Sequence, residues 1–486
     1  MFRMARTCNL LAMAAMALLC ALPGTAQALE LSDKLFLTLS AEADIRFIVE
    51  DDRGATKGDG YRFSTNQNEM GMGFEFQPGP ESVGKVSGRF VFYGLNDVKS
   101  VMDTTDHDAM DPWHFELDEA FIEIRNFFSK DNMVDLRIGR WVNTWGSCDV
   151  FNQVDQINKR DESDPVKYDR KLPANMIKGS VYPHPAVEIS AIFVPIFEPA
   201  RLPESAAAAL TNTLTPPLKS RDDVMALSAL SSLVDINDLN VTTRMLMPKL
   251  TWANTQVGVR SLFHLGPVDT ALTYYRGRFG YPQPVAINAT DPSNIEATLY
   301  YPRFQMVGLD ANASFEELWD IGWFAEVAVF FPEEVIFAMQ LPPGLLEKDV
   351  FASKNIDDPF VKASAGFDYT FNQYVFVNFQ YVYGFFDEFG DILGLRHYIV
   401  PNIDFHALDG NFLIRLSTML CVSDLSANFC PLVSYIPAEG VELTVGATVF
   451  LGETKQHDPY KYRSYDKFGE LAVGRSVAYL RAKISI

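Results

Sequence analysis

Apolar and polar residues alternate along most of the chain from Asp33 to its last residue. In the first alternating segment, one parity is apolar throughout and consists of Leu35, Leu37, Leu39, Ala41, Ala43, Ile45 and Phe47. The last segment repeats the pattern with Leu480, Ala482, Ile484 and Ile486. Because successive side chains of a strand point to opposite faces, these segments predict strands with one apolar and one charged face.

The connections between the predicted strands alternate in length. We predict eighteen strands between residues 35 and 486, joined by a short turn, then a long loop, then a short turn again. The connection 196–249 is the longest, and 147–173 is another of the long ones. Apolar outer faces and alternating loop lengths are typical of bacterial outer-membrane barrels, whose turns are periplasmic and whose loops are extracellular. The fold class is therefore all-β: a transmembrane antiparallel up-and-down β-barrel of 16–18 strands, most simply 18, formed by residues 29–486.

Three stretches inside the long loops have apolar residues at helical spacing. Pro203–Leu214 and Asp222–Leu233 lie in the 196–249 loop, and Gly344–Ser353 lies in a later loop. We expect short helices there. The spacing is equally compatible with helices folded into the barrel mouth and with a surface cap.

Residues 1–28 have the features of a cleaved secretory signal. Arg3 and Arg6 precede an apolar stretch from Asn9 to Leu22, and Ala26-Gln27-Ala28 is a small-residue cleavage site. No later stretch reaches the ~18 uninterrupted apolar residues of a helical span. We therefore expect a protein of the outer membrane of a Gram-negative bacterium, with membrane lipid, lipopolysaccharide and the barrel assembly machinery as partners.

The net charge changes the picture of partners. It is −21 for the whole chain and becomes −23 when the two signal arginines are removed. Such an excess of acids argues against nucleic acid as a partner. An acidic rim suits divalent cations held by lipopolysaccharide, and a merely solvated acidic surface fits equally well. The charge does not decide whether the barrel is a homo-oligomer.

Reactive side chains give little sign of catalysis. The seven histidines show no metal-ligand spacing, and no nucleophile, zinc or phosphate-loop motif is present, so we expect neither an enzyme nor a cofactor or metal. Three cysteines remain after residue 28: Cys148, Cys421 and Cys430. Cys421 and Cys430 flank one predicted external loop, so a disulfide closing that loop and three free thiols are equal alternatives.

The stretch from Leu136 to Gly146 reads LRIGRWVNTWG, and an asparagine-rich segment follows it. It resembles a family of proteobacterial outer-membrane barrels, largely of unassigned function, that carry Gly-Arg-x-x-x-x-Trp-Gly at a strand end. The matching positions are Gly139, Arg140, Trp145, Gly146 and Asn158, and Val194–Pro199 is similar to the family's apolar exit. Lys159 departs from it, since the family often has proline there. The resemblance implies a transport barrel, linked to export of apolar compounds or carriage of organic solutes.

Arg140 poses a problem for the strand that carries this motif. Strict alternation places it on the lipid parity of Leu136 and Ile138, at a cost of roughly 2–4 kcal/mol near the membrane midplane. A bulge at Gly139 would turn Arg140 inward beside Arg137 and leave Trp141 facing lipid or the membrane interface. We predict this bulge. The alternative is an Arg140 that lies near the headgroups and snorkels.

The densest charge cluster of the chain follows directly, in the 147–173 loop. A wide barrel can accept such a loop, and mixed charge in a narrow lumen selects solutes by charge and dipole. The sequence therefore predicts a constriction loop, with a solvated external loop as the alternative. The predicted function is a channel for small solutes, and the runner-up is export of hydrophobic compounds or lipids. The pore-lining candidates are Arg137, Arg140, Asp149, Asp155, Lys159, Arg160 and Asp161.

Overall fold

The computed structural model describes most of the chain after the predicted signal. The described residues are 29–51, 62–93, 100–106, 110, 112–128, 134–164, 166–167, 170–202, 240–291, 294–315, 321–344, 350–356, 358–390, 394–423, 425–451 and 475–486. The predicted signal peptide and the predicted helices at Pro203–Leu214 and Asp222–Leu233 lie outside them.

The described residues form 24 strands and two single-turn 3-10 helices, Met102–Thr105 and Trp252–Asn254. The strands are β1 (Leu29–Ser32), β2 (Leu35–Asp51), β3 (Arg62–Gly79), β4 (Ser82–Tyr93), β5 (Trp113–Ile124), β6 (Val134–Trp141), β7 (Ala174–His184), β8 (Val187–Val194), β9 (Asn240–Leu246), β10 (Gln256–Leu265), β11 (Val268–Arg278), β12 (Gln283–Asn288), β13 (Asn294–Tyr300), β14 (Arg303–Phe315), β15 (Ile321–Pro332), β16 (Val335–Gln340), β17 (Val350–Ile356), β18 (Phe360–Phe371), β19 (Val375–Tyr383), β20 (His397–Ala407), β21 (Phe412–Cys421), β22 (Ala427–Ala438), β23 (Val441–Leu451) and β24 (Arg475–Ser485).

Eighteen of these strands form one closed antiparallel barrel. They are β2 to β8, β10, β11, β14, β15 and β18 to β24, and each pairs with the next. The ring closes where β24 pairs with β2, with Asp44 opposite Arg481. Short β1 adds a hairpin to the start of β2. The predicted barrel and its strand count are thus confirmed, because period-two alternation fixes both the strands and their inward faces.

Connection lengths alternate around the ring as predicted. One end of the barrel carries tight turns, such as those between His184 and Val187 and between Leu265 and Val268. Asn372 and Gly410 supply positive φ angles in two further turns at that end. The first barrel strand starts there and the last ends there, as an even strand count requires.

The long connections contain a second sheet that the sequence pattern did not reveal. Its order is β17-β16-β12-β13-β9, with two parallel pairings. The helix expected at 344–353 is wrong in its second half, since residues 350–353 belong to β17. The alternating stretch 298–312 is divided between two strands, the end of β13 and most of β14. Alternation continues across Tyr301 and Pro302, but proline cannot donate a ladder hydrogen bond, and the chain changes sheets there.

The outward parity of the barrel strands is apolar and exposed. Ile138, Leu272, Leu309, Val445 and Leu480 lie on it, each about half exposed. Apolar side chains of this kind, all on the outside of a closed sheet, are what a lipid-embedded barrel presents. The fold is that of an outer-membrane β-barrel.

A separate observation concerns helices. Within the described ranges, no helix is both long and apolar enough to cross a membrane.

Two parts of the barrel interior differ in chemistry. From β6 to β19 the inward side chains toward the long-loop end are apolar and packed, including Met176, Tyr275, Met306 and Phe330. From β2 to β5 they are charged and include Glu42, Asp44, Arg46 and Glu69. Asp44 pairs with Arg46, and the two glutamates pair with a lysine of the chain between β6 and β7. The candidate site lies between these two walls.

Candidate functional site: a segment across the barrel interior

The chain between β6 and β7 runs inside the barrel. We call its described residues, 142–164, 166–167 and 170–173, the inner segment. Its backbone and side chains hydrogen-bond to inward-facing side chains of barrel strands far apart in the ring. The segment therefore crosses the interior instead of projecting from the barrel mouth.

Glu326 of β15 holds the start of the inner segment. Its carboxylate accepts four backbone N–H groups: Oε1 from Ser147 and Cys148, and Oε2 from Gln153 and Val154, at N···O distances of 2.5–3.2 Å. Glu326 is 3% exposed. A buried carboxylate that accepts several N–H bonds is stabilised as an anion by them, and the N–H groups would otherwise be unsatisfied.

Gln380 of β19 hydrogen-bonds to the next part of the same backbone. Its Oε1 accepts the N–H groups of Val150 and Phe151 at 3.2 and 3.1 Å, and its Nε2 donates to the Phe151 carbonyl at 2.7 Å. Gln153 of the inner segment returns the contact by donating to Ser364 Oγ at 3.0 Å. Residues 147–154 are thus fixed to β15, β18 and β19 mainly through their backbone.

Apolar packing reinforces this side. Val154 is fully buried and lies against Gly308 of β14, where an added Cβ would approach Val154 Cγ1 to 2.4 Å. Trp145 and Ile157 pack into the same cluster as Met306 and Phe330. With valine at 154, a residue larger than glycine at 308 would push the segment off the wall, which explains a small residue there.

Ion pairs hold the far end of the inner segment to the opposite wall. Asp164 accepts two hydrogen bonds from the Arg46 guanidinium of β2, the longer at 2.7 Å. Lys167 lies 2.6 Å from Glu42 and 2.9 Å from Glu69. In the ring order, β2 and β3 lie almost diametrically across from β15, so the segment bridges the barrel.

Two cavities border the inner segment. The larger, of about 450 Å³, lies between the segment and strands β20 and β21. The smaller, of about 50 Å³, lies behind it beneath the aromatic rings of Phe151, Phe385 and Phe386. Asn152, Arg160 and Lys171 line both. These three side chains therefore separate the two spaces.

The sequence candidates of the inner segment have distinct surroundings. Asp149 accepts a hydrogen bond from Asn378 at 2.5 Å, and desolvation raises its pKa. Asp155 pairs with Lys171. Asp161 accepts from Ser163 and lies 3.2 Å from Arg201. The structure thus brings these residues together in the inner segment. Asp155 and Asp161 already have cationic partners within the protein.

Lys159 lies in the apolar part. Its ammonium group donates to the Gln156 carbonyl at 2.7 Å and sits about 6 Å from the ring centroids of Tyr275 and Phe304. Burial lowers the pKa of Lys159 to about 7. Near neutral pH this lysine is therefore poised between its charged and neutral forms.

Arg137 faces the interior but Arg140 does not. Arg137 pairs with Glu123 of β5 and lies over the Phe121 ring at 4.6 Å. β6 pairs with β5 and β7 without any register shift, so the bulge predicted at Gly139 is wrong. Arg140 keeps the outward parity of Ile138, while Trp141 is inward and only 1% exposed.

The local backbone explains this correction. A bulge does exist nearby, but in β5, where Asp118 is skipped between Glu119 and Leu117 in the pairing with β4. Arg140 donates to the Leu117 carbonyl at 3.2 Å and to Glu198 at 2.6 Å, so its charge is met at the strand end. Gly139 has φ +140°, and a Cβ there would lie 2.1 Å from the Ala120 carbonyl oxygen. Glycine at this position therefore allows the backbones of β5 and β6 to approach closely.

The disulfide considered for Cys421 and Cys430 is absent: both residues are in the thiol form, as is Cys148. Cys430 stands opposite Ser417 in the β21–β22 pair. Cys421 lies four residues further along β21, roughly 13 Å away at the usual rise of a strand. A disulfide needs Cα atoms within about 7 Å, so the register forbids it.

Sequence reasoning missed the wall residues that hold the inner segment. The alternation of residues does not single out Glu326, Gln380 or Arg46. A signal was present for Glu326, since it is the one acid on the inward parity of β15, between Phe324 and Ala328. An isolated acid on an otherwise apolar inward face calls for a specific partner.

Together, fold and interior define a class: an outer-membrane β-barrel whose interior is bridged by one of its own connections. A family model described as a protein of unknown function (DUF1302) matches residues 48–346. The chain belongs to this family. No curated protein sequence matches the chain.

Solved structures with a similar fold include porins. The OccAB3 protein of Acinetobacter baumannii matches with 8% identity and a TM-score of 0.48, over 93% of this chain and 99% of that one. Salmonella typhi OmpF, in a complex with daunomycin, matches with 10% identity and a TM-score of 0.38, over 93% and 98%. A mutant of the Rh. blastica porin matches with 8% identity and a TM-score of 0.35, over 93% and 100%. Similarity at this level says nothing about what these barrels share in function.

Proposed function

We propose that the protein is an outer-membrane channel that passes small polar or charged solutes selectively. The observation that carries the proposal is the inner segment: it bridges the barrel and still leaves a cavity of about 450 Å³ beside β20 and β21. A lumen bridged in this way conducts less than an open one, and the side chains beside the gap choose the solute.

The chemistry of the gap favours polar solutes. Its lining includes Asp149, Asn152, Arg160, Asn402 and Arg415. By contrast, the aromatic cluster beside β11, β14 and β15 is tightly packed, with Phe279, Phe304 and Phe330 each at most 3% exposed. Export of hydrophobic compounds needs an apolar path, so we favour the polar channel over that alternative.

The proposal involves no catalytic step and no cofactor. It places the protein in the outer membrane, where the exposed apolar belt contacts lipid and the long-loop end meets lipopolysaccharide. Insertion by the barrel assembly machinery follows from the same location. Cell fractionation and the heat-dependent gel migration of a folded barrel test this part, and recovery in the inner membrane or cytoplasm would overturn it.

Single-channel recording in planar bilayers tests the channel itself. We expect a small, steady conductance from the purified protein, well below that of an unobstructed barrel of this strand count. Liposome swelling with small sugars and amino acids gives an independent reading of solute passage. A protein that inserts and folds but shows neither current nor swelling would refute the proposal.

A further inference from the structure

We propose that Arg160 is the recognition group of a binding site for a small organic monoanion, such as a carboxylate with an apolar or aromatic part. The site is the larger cavity beside the inner segment. The proposal rests on the channel function above and names the class of solute that the channel selects.

The guanidinium of Arg160 lies over two neighbouring aromatic rings. Its Cζ atom lies 4.9 Å from the ring centroid of Phe151 and 4.8 Å from that of Phe386. The two ring centroids lie only 6.0 Å apart, so both rings are on the same side of the guanidinium, which leaves most of its N–H edge available for in-plane hydrogen bonds. That edge is the part of arginine that binds a carboxylate with two parallel hydrogen bonds.

Arg160 also lacks the acidic partner that several interior arginines have. Arg46, Arg260 and Arg415 each pair with an aspartate at 2.5–2.6 Å. Among the described residues no carboxylate lies within ion-pair distance of Arg160, whose one side-chain hydrogen bond, to the Val150 carbonyl, is long at 3.5 Å. A partly buried cation without a counter-charge favours an incoming anion.

The acid two positions further along the chain does not fill this role. Glu162 accepts a hydrogen bond from the Tyr281 hydroxyl. Burial raises the pKa of Glu162 to about 8, so it carries a proton over most of the neutral range. Lys171, the other cation that lines both cavities, is already paired with Asp155.

The backbone holds Arg160 in place before any solute arrives. Its carbonyl accepts the N–H of Arg201 at 3.0 Å, and it forms a β-bridge with Lys171. Next to it, Leu172 donates to the Lys159 carbonyl at 2.7 Å. A group fixed in this way loses little conformational freedom when it binds, which favours affinity.

The remaining cavity lining indicates the rest of the solute. A volume of about 450 Å³ falls in the range of small-molecule sites, roughly 300–1,000 Å³. Val150 and Val400 supply apolar surface, and the buried Oδ1 of Asn152 has no hydrogen-bond partner. Asp149 also lines the cavity, so a second negative charge on the solute would be repelled. The site therefore suits monoanions better than dianions.

Calorimetric titration of the whole protein in detergent tests the site, with benzoate as the probe. We expect benzoate to bind the unaltered protein, and benzyl alcohol and terephthalate to bind at least tenfold more weakly. Arg160→Gln should weaken benzoate binding at least tenfold. Arg140→Gln, the same change on the outer face, should leave it unaltered. Equal binding of benzoate by the Arg160→Gln protein, or no binding by the unaltered protein, would overturn the proposal.

Folding and channel activity are read separately. Heat-dependent gel migration shows whether each variant is folded. If Arg160→Gln does not assemble, Arg160→Lys replaces it: the charge stays but the planar edge is lost, and the site predicts weaker benzoate binding, whereas unchanged binding refutes it. Binding without conductance would refute the channel and leave the site standing. Conductance without benzoate binding would refute the binding site and leave the channel standing.

Discussion

The two ends of the inner segment are held by different kinds of interaction. At the β14–β19 wall, Glu326 and Gln380 bind backbone N–H groups in a setting closed to water, and Val154 is fully buried. At the β2–β3 wall, Asp164 and Lys167 form ion pairs, and the Asp164 side chain is 19% exposed. Dry hydrogen bonds are costly to break and insensitive to salt, while partly exposed ion pairs are weaker and screened. The first wall is therefore the permanent attachment, and the second is the adjustable one.

Glu326→Ala should give the largest effect. It leaves four buried N–H groups without an acceptor, each at a cost of about 1–3 kcal/mol, so residues 147–154 should leave the wall. We expect single-channel conductance to rise severalfold. Glu123→Ala is the matched control, since the ion-pair partners of Glu123, Arg125 and Arg137, lie outside the inner segment. Equal conductance in the two folded variants would contradict a dry attachment at Glu326.

Asp164→Ala should act more weakly. The substitution removes the hydrogen bonds from Arg46 to a charged acceptor, which are worth about 1.5–3 kcal/mol. Arg46 itself keeps its 2.8 Å pair with Asp44 and is therefore not left as an unpaired charge. We expect more frequent current fluctuations with little change in mean conductance. High salt should produce similar fluctuations in the unaltered protein, because it screens the same pairs. Fluctuations that ignore both salt and the substitution would show that this wall does not restrain the segment.

Much of the fold follows from the sequence, and the reason is local. Inward and outward parity is fixed by each residue's own polarity, so the alternation of residues alone places β2 and β24 as the first and last strands of a closed barrel. It does not reveal the attachments of the inner segment, because Glu326 and its Gln153 partner are 173 positions apart, and alternation carries no information on such pairs. The same limit explains the misplaced bulge, since it lies in β5 and its effect on Arg140 passes through the neighbouring strand.

Lys159→Met should remove one contribution to the pH dependence of the free energy of unfolding. The pKa of Lys159 in the folded protein, about 7, lies below its usual value of 10.5, so the folded state binds fewer protons between these values. Stability should therefore rise as pH rises from about 7 to about 10.5, and the substitution should flatten this rise. Glu162, whose pKa is raised, acts with the opposite sign below pH 8 and stays in both proteins. Urea midpoints across pH measure the effect, and identical slopes for both proteins above pH 8 would contradict it.

Arg140→Ala should give the smallest effect on ion selectivity. Arg140 lies on the outer parity and is bound to Glu198 and the Leu117 carbonyl at the strand end. The reversal potential in a salt gradient should stay unchanged, whereas Arg160→Ala should shift it toward cations. A shift of equal size in both variants would place Arg140 in the passage after all.

A reversible disulfide between the inner segment and the dry wall tests the central claim most directly. An ideal Cβ at Gly308 would lie 3.3 Å from Val154 Cβ, close to the separation that a disulfide requires. Val154→Cys and Gly308→Cys should be combined with Glu326→Ala and recorded before and after reduction. The account predicts low conductance while the bond is intact and a severalfold rise when it is reduced. Failure of the bond to form in a folded barrel, or one conductance in both states, would contradict a segment held across the interior by this wall.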